Sequence, residues 1–466
     1  MRSALIALVA VLGLLSVPIP SSAESQSFAA AARSILGADQ GVYVEAEDGT
    51  VLLAQAAATP VHPASVSKVP TTLALLRKLG PDHRFVTTFT AKGRVIDGTL
   101  YGDLIVASDG DPSLVDEDAL LVAERLRQSG VNRVSGNLRV VAPLTFDWKI
   151  DSDGGSLRRA LSGNTPAAAL SAVRALDLVA PTEPHGLPRR STRDGISVNE
   201  PVSTASPIAR TTAGLSTSGV LVPLGIRFGA TTETVAATAT AAATPTAAAP
   251  SAAAGGVQKA GELTGERPLI VHRSQPLLPL VKSLNDYSNN IFAPFAEAAG
   301  GAVAVQTLAR SVVPPEMSSE ITLGDGAGAD PTNRLSPRVA VKLLRVLEQE
   351  LARSGHALYD ILPVAGIDDG TLHDRLNGPG EAGHVLGKTG TFGDYGASAL
   401  IGAIRTTDRG TVYFAILNHN VPVPQARRRQ DHFVRYLLTQ FHTSPWSYQR
   451  DPRPAITRAE VAIMLP

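Results

Sequence analysis

Apolar and polar positions fall into alternating or helically spaced runs separated by turn-forming pairs, and these runs predict a mixed series of strands and helices. Short β-prone runs over 41–45 and 50–54 flank Asp48-Gly49, a pair suited to the positive φ of a tight hairpin, so two antiparallel strands are predicted. Pro63 and the apolar run over 71–79 predict a turn and then a helix that stops at Gly80 and Pro81. Alternation from Phe85 to Val106 around Asp97-Gly98 predicts a second hairpin, and 119–128 an amphipathic helix. Helical spacing returns over 276–285, 291–299 and 339–351. Apolar runs over 397–404 and 412–417 bracket Asp408-Arg409-Gly410 as a further hairpin, and Phe433, Leu437 and Phe441 line one face of a closing helix.

The pattern lapses in three places. Residues 231–256 are mostly alanine and threonine with Pro245 and Pro250. They carry no hydrophobic stripe to offset the entropy of ordering, and read as a flexible connector or surface loop. Beyond Ser444 the prolines at 445, 452 and 454 predict a loose tail, with 455–464 as a candidate for one short helix. At the start, Arg2, an uncharged apolar run over 4–17 and Ser21-Ser22-Ala23 have the form of an export signal cleaved after Ala23. The run is shorter than the roughly 20 residues that span a bilayer. A soluble mature protein outside the cytoplasm, in the periplasm or cell-wall space, is therefore expected, with no integral membrane span after cleavage.

Composition narrows the chemistry. At roughly 150 residues per domain, 466 residues suggest about three units, and 44% hydrophobic residues suffice for buried cores. The 42 basic and 42 acidic side chains balance, which removes the bulk attraction to nucleic acid or anionic membrane. Arg427-Arg428-Arg429 reads as a solvated face at a helix start. Without cysteine, thiol nucleophiles, iron–sulfur ligation and disulfides are excluded, so a nucleophile must carry oxygen or nitrogen. The histidines show no metal-ligand spacing, so the sequence gives no independent hint of a metal.

Of the 42 basic residues only eight are lysine, so a retained lysine suggests a need for a compact ammonium or a nitrogen able to lose its proton. Two stand in short motifs. Ser65 and Lys68, in Ser65-Val66-Ser67-Lys68, share a helix face, where a desolvated amine can serve as base for the hydroxyl. Ser288-Asn289-Asn290, between two helical runs, offers a hydroxyl to relay a proton and a carboxamide to bind a substrate amide. Lys388-Thr389-Gly390-Thr391, just before an apolar strand, offers an ammonium and a hydroxyl for a carboxylate, with Gly390 permitting close backbone approach. Taken singly, each motif also reads as a helix cap, a polar helix junction or a strand-end turn.

In this order the three motifs form the signature set of serine enzymes acting on penicillin-like amides. The chain further resembles the class C low-molecular-mass penicillin-binding proteins, the D-alanyl-D-alanine carboxypeptidase and endopeptidase family S13, which carries a large insertion between the first two motifs. The resemblance includes Pro63-Ala64-Ser65, Gly102-Asp103-Leu104, Gly110-Asp111-Pro112, Asp325-Gly326-Ala327-Gly328, Asn333-Arg334-Leu335-Ser336-Pro337, Leu362-Pro363-Val364-Ala365-Gly366 and Gly370-Thr371-Leu372. It implies hydrolysis of peptidoglycan stem peptides through an acyl-enzyme on Ser65, with Lys68 as base and Ser288 relaying the proton to the leaving amine. Asn290 would orient the peptide, Lys388 and Thr389 would hold the terminal carboxylate, and the N–H groups of Ser65 and Thr391 would form the oxyanion hole. β-Lactams would be covalent inhibitors, and no metal or organic cofactor is implied. The family usually has serine at the position of Ala327, and substrate contacts from the insertion find no match.

The expected fold is α+β: a penicillin-binding-protein/β-lactamase-like transpeptidase domain, an antiparallel sheet covered by helices, assembled from 24–89 and 267–443. Between them lies an α/β-rich insertion over 90–266, and 444–466 form a tail. Two other readings share part of the pattern. A serine β-lactamase with Ser-Asp-Asn places a water-activating glutamate after that motif, whereas Glu200-Pro201 here precedes Ser288. A catalytically inactive cell-wall-binding protein would keep the fold without labelling by penicillin.

Overall fold

The computed structural model describes residues 22–142, 144–175, 225–229, 232–234, 266–393, 396–452 and 458–464. Residues 1–21 of the expected signal, Glu200-Pro201 and 235–256 of the alanine-threonine stretch lie outside them. Among the described residues no helix is long and apolar enough to cross a membrane. The chain divides into two compact units, one of Met1–Ala74, Asn285–Asn290 and Ala302–Arg450, the other of Leu75–Leu284, Ile291–Gly301 and Asp451–Pro466.

The first unit is built on a five-stranded antiparallel sheet in the order Val385–Phe392, Ala397–Arg405, Thr411–His419, Gly41–Glu45, Val51–Gln55. Both ends of the chain meet in it, because Gly41–Glu45 pairs with Thr411–His419, Tyr43 opposite Ala415. Successive side chains of a strand point to opposite faces, and here both faces are covered. Val42, Val44, Val412, Phe414 and Ile416 join Phe28 and Ala32 of the helix Ser22–Ile35 and Phe433, Val434 and Leu437 of the helix Val423–Gln440 in one core. From the alternate positions, Tyr413 donates to Glu348 and Glu45 pairs with Arg345, both on the helix Pro337–Arg353. That helix starts where Ser336 accepts the N–H of Val339 and Pro337 occupies the first turn, and it buries Val339, Leu343, Leu344, Leu347 and Leu351. Double coverage explains why the strands over 397–405 and 411–419 read as continuous apolar runs.

The second unit carries a mixed sheet in the order Thr232–Thr234, Leu138–Val140, Thr99–Ser108, Val86–Ile96, Glu266–Arg273, Glu460–Ile463. The hairpin predicted around Asp97-Gly98 is its longest antiparallel pair. Three expectations are corrected here. Within the alanine-threonine stretch, Thr232–Thr234 is a strand, parallel to Leu138–Val140. The tail is not wholly loose, nor is it helical at its end, since Glu460–Ile463 pairs with Glu266–Arg273 and satisfies its backbone groups there. The second unit also extends beyond 90–266, because Val86–Ile96 and Glu266–Arg273 pair with one another across both expected boundaries.

Within this unit His272 is fully buried between two carboxylates, Nδ1 3.1 Å from Asp111 and Nε2 3.2 Å from Asp118. Burial opposes its charge, yet Asp118 and Asp111 together raise its pKa to about 10. The elevation stabilises the fold fully below the unfolded histidine value of about 6.5, and the contribution is lost as pH rises through about 10. Removing the imidazole leaves two buried carboxylates without their cation. His272→Gln is expected to lower unfolding stability at pH 7 by about 3–5 kcal/mol in urea titrations. A loss below about 1 kcal/mol would show that the three groups are not paired in solution.

Candidate active site

Ser65 lies in a short 3-10 turn, Ala64–Ser67, and Lys68 opens the helix Lys68–Leu79. Three residues per turn bring positions 65 and 68 onto one side. Pro70 falls in the first turn of the helix, where its missing N–H costs no intrahelical bond. The Lys68 ammonium is buried and donates to Ser65 Oγ at 2.8 Å, to the Ser288 carbonyl at 3.0 Å and to Ser288 Oγ at 3.3 Å. Burial pushes the Lys68 amine down to about 7, against an opposing pull from the Asp325 carboxylate.

Ser288 belongs to the loop after the helix Leu277–Asp286 and takes a left-handed φ of 54°. The loop is tied down locally by the Thr371 N–H, which donates to the Asp286 carbonyl at 2.8 Å, and by Asn285 Nδ2, which donates to Ile361 O at 2.8 Å. Ser288 Oγ also receives Lys388 Nζ at 2.9 Å, so both motif lysines converge on one hydroxyl. Lys388 is fully buried and gives a second bond to the Thr389 carbonyl at 2.9 Å. Burial first, and the nearby Lys68 second, hold its ammonium well below the usual lysine range, with Asp286 opposing. Asn290 stands exposed two residues after Ser288.

Lys388-Thr389-Gly390-Thr391 precedes the apolar strand Ala397–Arg405, as the pattern predicts, and is itself part of a strand. It occupies the edge strand Val385–Phe392, paired along its length with Ala397–Arg405. A short lysine-threonine-glycine run looks polar in sequence, and only the register with its neighbour shows it to be sheet. The glycine is required by proximity, since a Cβ on Gly390 would stand 3.0 Å from Ser65 N. Thr389 is buried, whereas Thr391 is exposed and its Oγ1 accepts a hydrogen bond from Arg427 Nη2 at 2.9 Å.

Two supporting features escaped the motif reading. Ala64 holds a left-handed φ of 49° immediately before Ser65, a conformation costing about 1–3 kcal/mol that its surroundings must enforce. His62 helps to do so. Its Nδ1 accepts the Ala64 N–H at 3.1 Å, which leaves Nε2 to donate to the Asp330 carbonyl at 3.0 Å, and its ring stacks on Phe392 at 4.0 Å. The Asp325-Gly326-Ala327-Gly328 loop presses on the same turn: an added Cβ on Gly328 would collide with the Ala64 carbonyl, and Thr71 Oγ1 donates to Gly326 O at 2.9 Å. Asp325 shapes the loop by accepting from the Gly328 and Ala329 N–H groups at 2.7 and 2.9 Å. Ala327 is buried there. Nothing in the spacing around His62 marks it, because Asp330 and Phe392, which fix its ring, come from distant parts of the chain.

A serine hydroxyl against a desolvated lysine, bridged through a second serine to a second lysine on the edge of a helix-covered antiparallel sheet, defines a serine acyl hydrolase. The model of the D-Ala-D-Ala carboxypeptidase 3 (S13) family matches residues 24–148 and 230–440, and the chain belongs to that family. It is thus a serine hydrolase of the D-alanyl-D-alanine carboxypeptidase type. Among similar proteins, carboxypeptidase DacB of Mycolicibacterium smegmatis is 26% identical over 87% of this chain and 82% of its own length. The D-alanyl-D-alanine carboxypeptidase of Actinomadura sp. strain R39 is 27% identical over 84% of this chain and 80% of its own. In fold the chain is similar to a predatory endopeptidase from Bdellovibrio bacteriovorus, with a TM-score of 0.62 at 18% identity, covering 90% of this chain and 96% of that one. Penicillin-binding protein 4 from Haemophilus influenzae gives a TM-score of 0.54 at 17% identity over 89% and 99% of the two chains.

Proposed function

We propose that Ser65 is the acylated nucleophile of a peptidoglycan stem-peptide hydrolase, with Lys68 as its base. The observation that carries this reading is the 2.8 Å contact between Lys68 Nζ and Ser65 Oγ in a site dry enough to bring the amine near pH 7. Neutral Lys68 takes the hydroxyl proton as Oγ attacks the carbonyl between two D-alanines. Ser288 Oγ, held by both lysines, gives its proton to the departing amine and is reprotonated from Lys68. The N–H groups of Ser65 and Thr391 receive the developing oxyanion, Asn290 orients the peptide, and Lys388, Thr389 and Gly390 form the strand along which the substrate's end lies. Water then hydrolyses the ester. The same attack on a strained lactam leaves a slowly hydrolysed adduct, and a penicillin G-acylated form is known for the Bdellovibrio endopeptidase. Cell-wall peptides as substrate agree with an extracytoplasmic location and with the signal-like start of the sequence.

Incubating the protein with a stem pentapeptide and with a cross-linked peptide dimer, and weighing the products, tests the reading. Loss of one D-alanine from the pentapeptide is expected; cleavage of the dimer would add endopeptidase activity. Inertness toward both, with rapid turnover of a chromogenic cephalosporin, would replace this reading with the β-lactamase one.

A further inference from the structure

Resting on the peptidase reading, the geometry points to Arg427 as the charged partner of the substrate's terminal carboxylate, a role that lies outside the three motifs. The carboxylate of a D-alanyl-D-alanine terminus needs a cation at the surface of the cleft. Lys388 is poorly disposed to be that cation: its side chain is fully buried, its ammonium is bound to Ser288 Oγ and Thr389 O, and its charge is opposed by burial and by Lys68. Arg427 is exposed and keeps its charge at every working pH. Its Nη2 already touches the Thr391 hydroxyl at 2.9 Å, on the strand whose backbone lies against Ser65.

The placement is enforced rather than incidental. Three residues along the helix Val423–Gln440, on the same face, Gln430 is fully buried and donates to Ser398 Oγ at 3.1 Å and to Asn418 Oδ1 at 2.9 Å. Ser398 is the cross-strand neighbour of Thr391. Gln430 therefore pins the start of the helix over the edge strand at the level of Thr391. The nearby Asp431 is taken by Arg375, whose Nε and Nη2 bind its Oδ1 at 2.9 and 2.7 Å. Among the described residues no carboxylate lies within ion-pair range of Arg427, and Asp431, which draws on its charge from further off, is itself bound by Arg375. Its neighbours in the basic run are used differently, Arg429 donating to Leu36 O. A guanidinium on the Thr391 hydroxyl, two residues along the strand from Thr389, makes a carboxylate-selective end to the site.

Arg427→Gln and Arg427→Lys test this with four probes: a D-alanyl-D-alanine peptide, its C-terminal amide, benzylpenicillin and benzylpenicillin methyl ester. With the two carboxylates, Arg427→Gln is expected to lower kcat/KM or the acylation rate constant roughly 10- to 100-fold, mainly through KM for the peptide, as loss of a charge-assisted hydrogen bond does. Arg427→Lys should recover part of it. With the amide and the ester, rates should stay within about twofold of the unsubstituted protein, since no charge-assisted bond is lost. Equal losses on charged and neutral probes, or no loss on any, would overturn the assignment while leaving the peptidase intact. An unsubstituted protein inert to all four probes would overturn the peptidase reading and the role of Arg427 with it.

Discussion

Ser65→Ala is expected to abolish covalent labelling by a fluorescent penicillin and to lower kcat/KM on a D-alanyl-D-alanine peptide by about 10^4-fold or more, the scale on which removal of a nucleophile acts. The substitution deletes one oxygen whose hydrogen bond in the structure is with Lys68. Lys68 keeps its bonds to the Ser288 carbonyl and hydroxyl, so no buried amine is stranded. Stability should therefore change by only about 1 kcal/mol, the net worth of one hydrogen bond. Mass spectrometry after penicillin treatment and a urea titration of both forms read the two quantities. Labelling that persists in the alanine form would move the nucleophile elsewhere, and equal loss of fold and labelling would leave Ser65 with a structural part only.

Lys68→Arg should be nearly as severe while preserving positive charge. A guanidinium cannot give up its proton, whereas the amine it replaces is brought to about 7 by burial. A fall in acylation of about 10^2- to 10^4-fold is expected, the range attributed to a positioned base. The sign of the pH dependence follows from the same shift. In the proposed mechanism Lys68 works as the neutral amine, so the acylation rate constant should level off above about pH 7 and fall about tenfold per unit below it. Rates of benzylpenicillin acylation from pH 5 to 9 check this, since the lactam carboxylate does not titrate in that window. A flat profile would mean that another group takes the proton. Asp325 is a useful control: it opposes the depression of Lys68, so Asp325→Asn should shift the midpoint downward, toward lower pH.

The contact at the centre of the candidate site was legible because it is local. Ser65 and Lys68 are one turn apart, and a period of three needs no knowledge of the rest of the molecule. The hairpins at Asp48-Gly49, Asp97-Gly98 and Asp408 to Gly410 were equally local, each a turn between two runs of fitting period. Where the reading slipped, the missing term was a distant partner. The lysine-threonine-glycine segment is sheet because Ala397–Arg405 pairs with it, and the end of the chain is a strand because Glu266–Arg273 receives it.

The amino-acid order alone determined the pairing of Ser65 with Lys68, the order of the three motifs and a sheet drawn from both ends of the chain, since these depend on short-range spacing and on hydrophobic period. Folding decided what depends on groups far apart in sequence. Burial lowered the pKa of one lysine to about 7 and turned the other inward to Ser288, and Asp111, Asp118 and His272 became a buried charged triad. A helix pinned by Gln430 carried Arg427 from an apparently solvated basic run to the hydroxyl of Thr391. Desolvation and electrostatic pairing are properties of distance in space, and no periodicity along a chain records them.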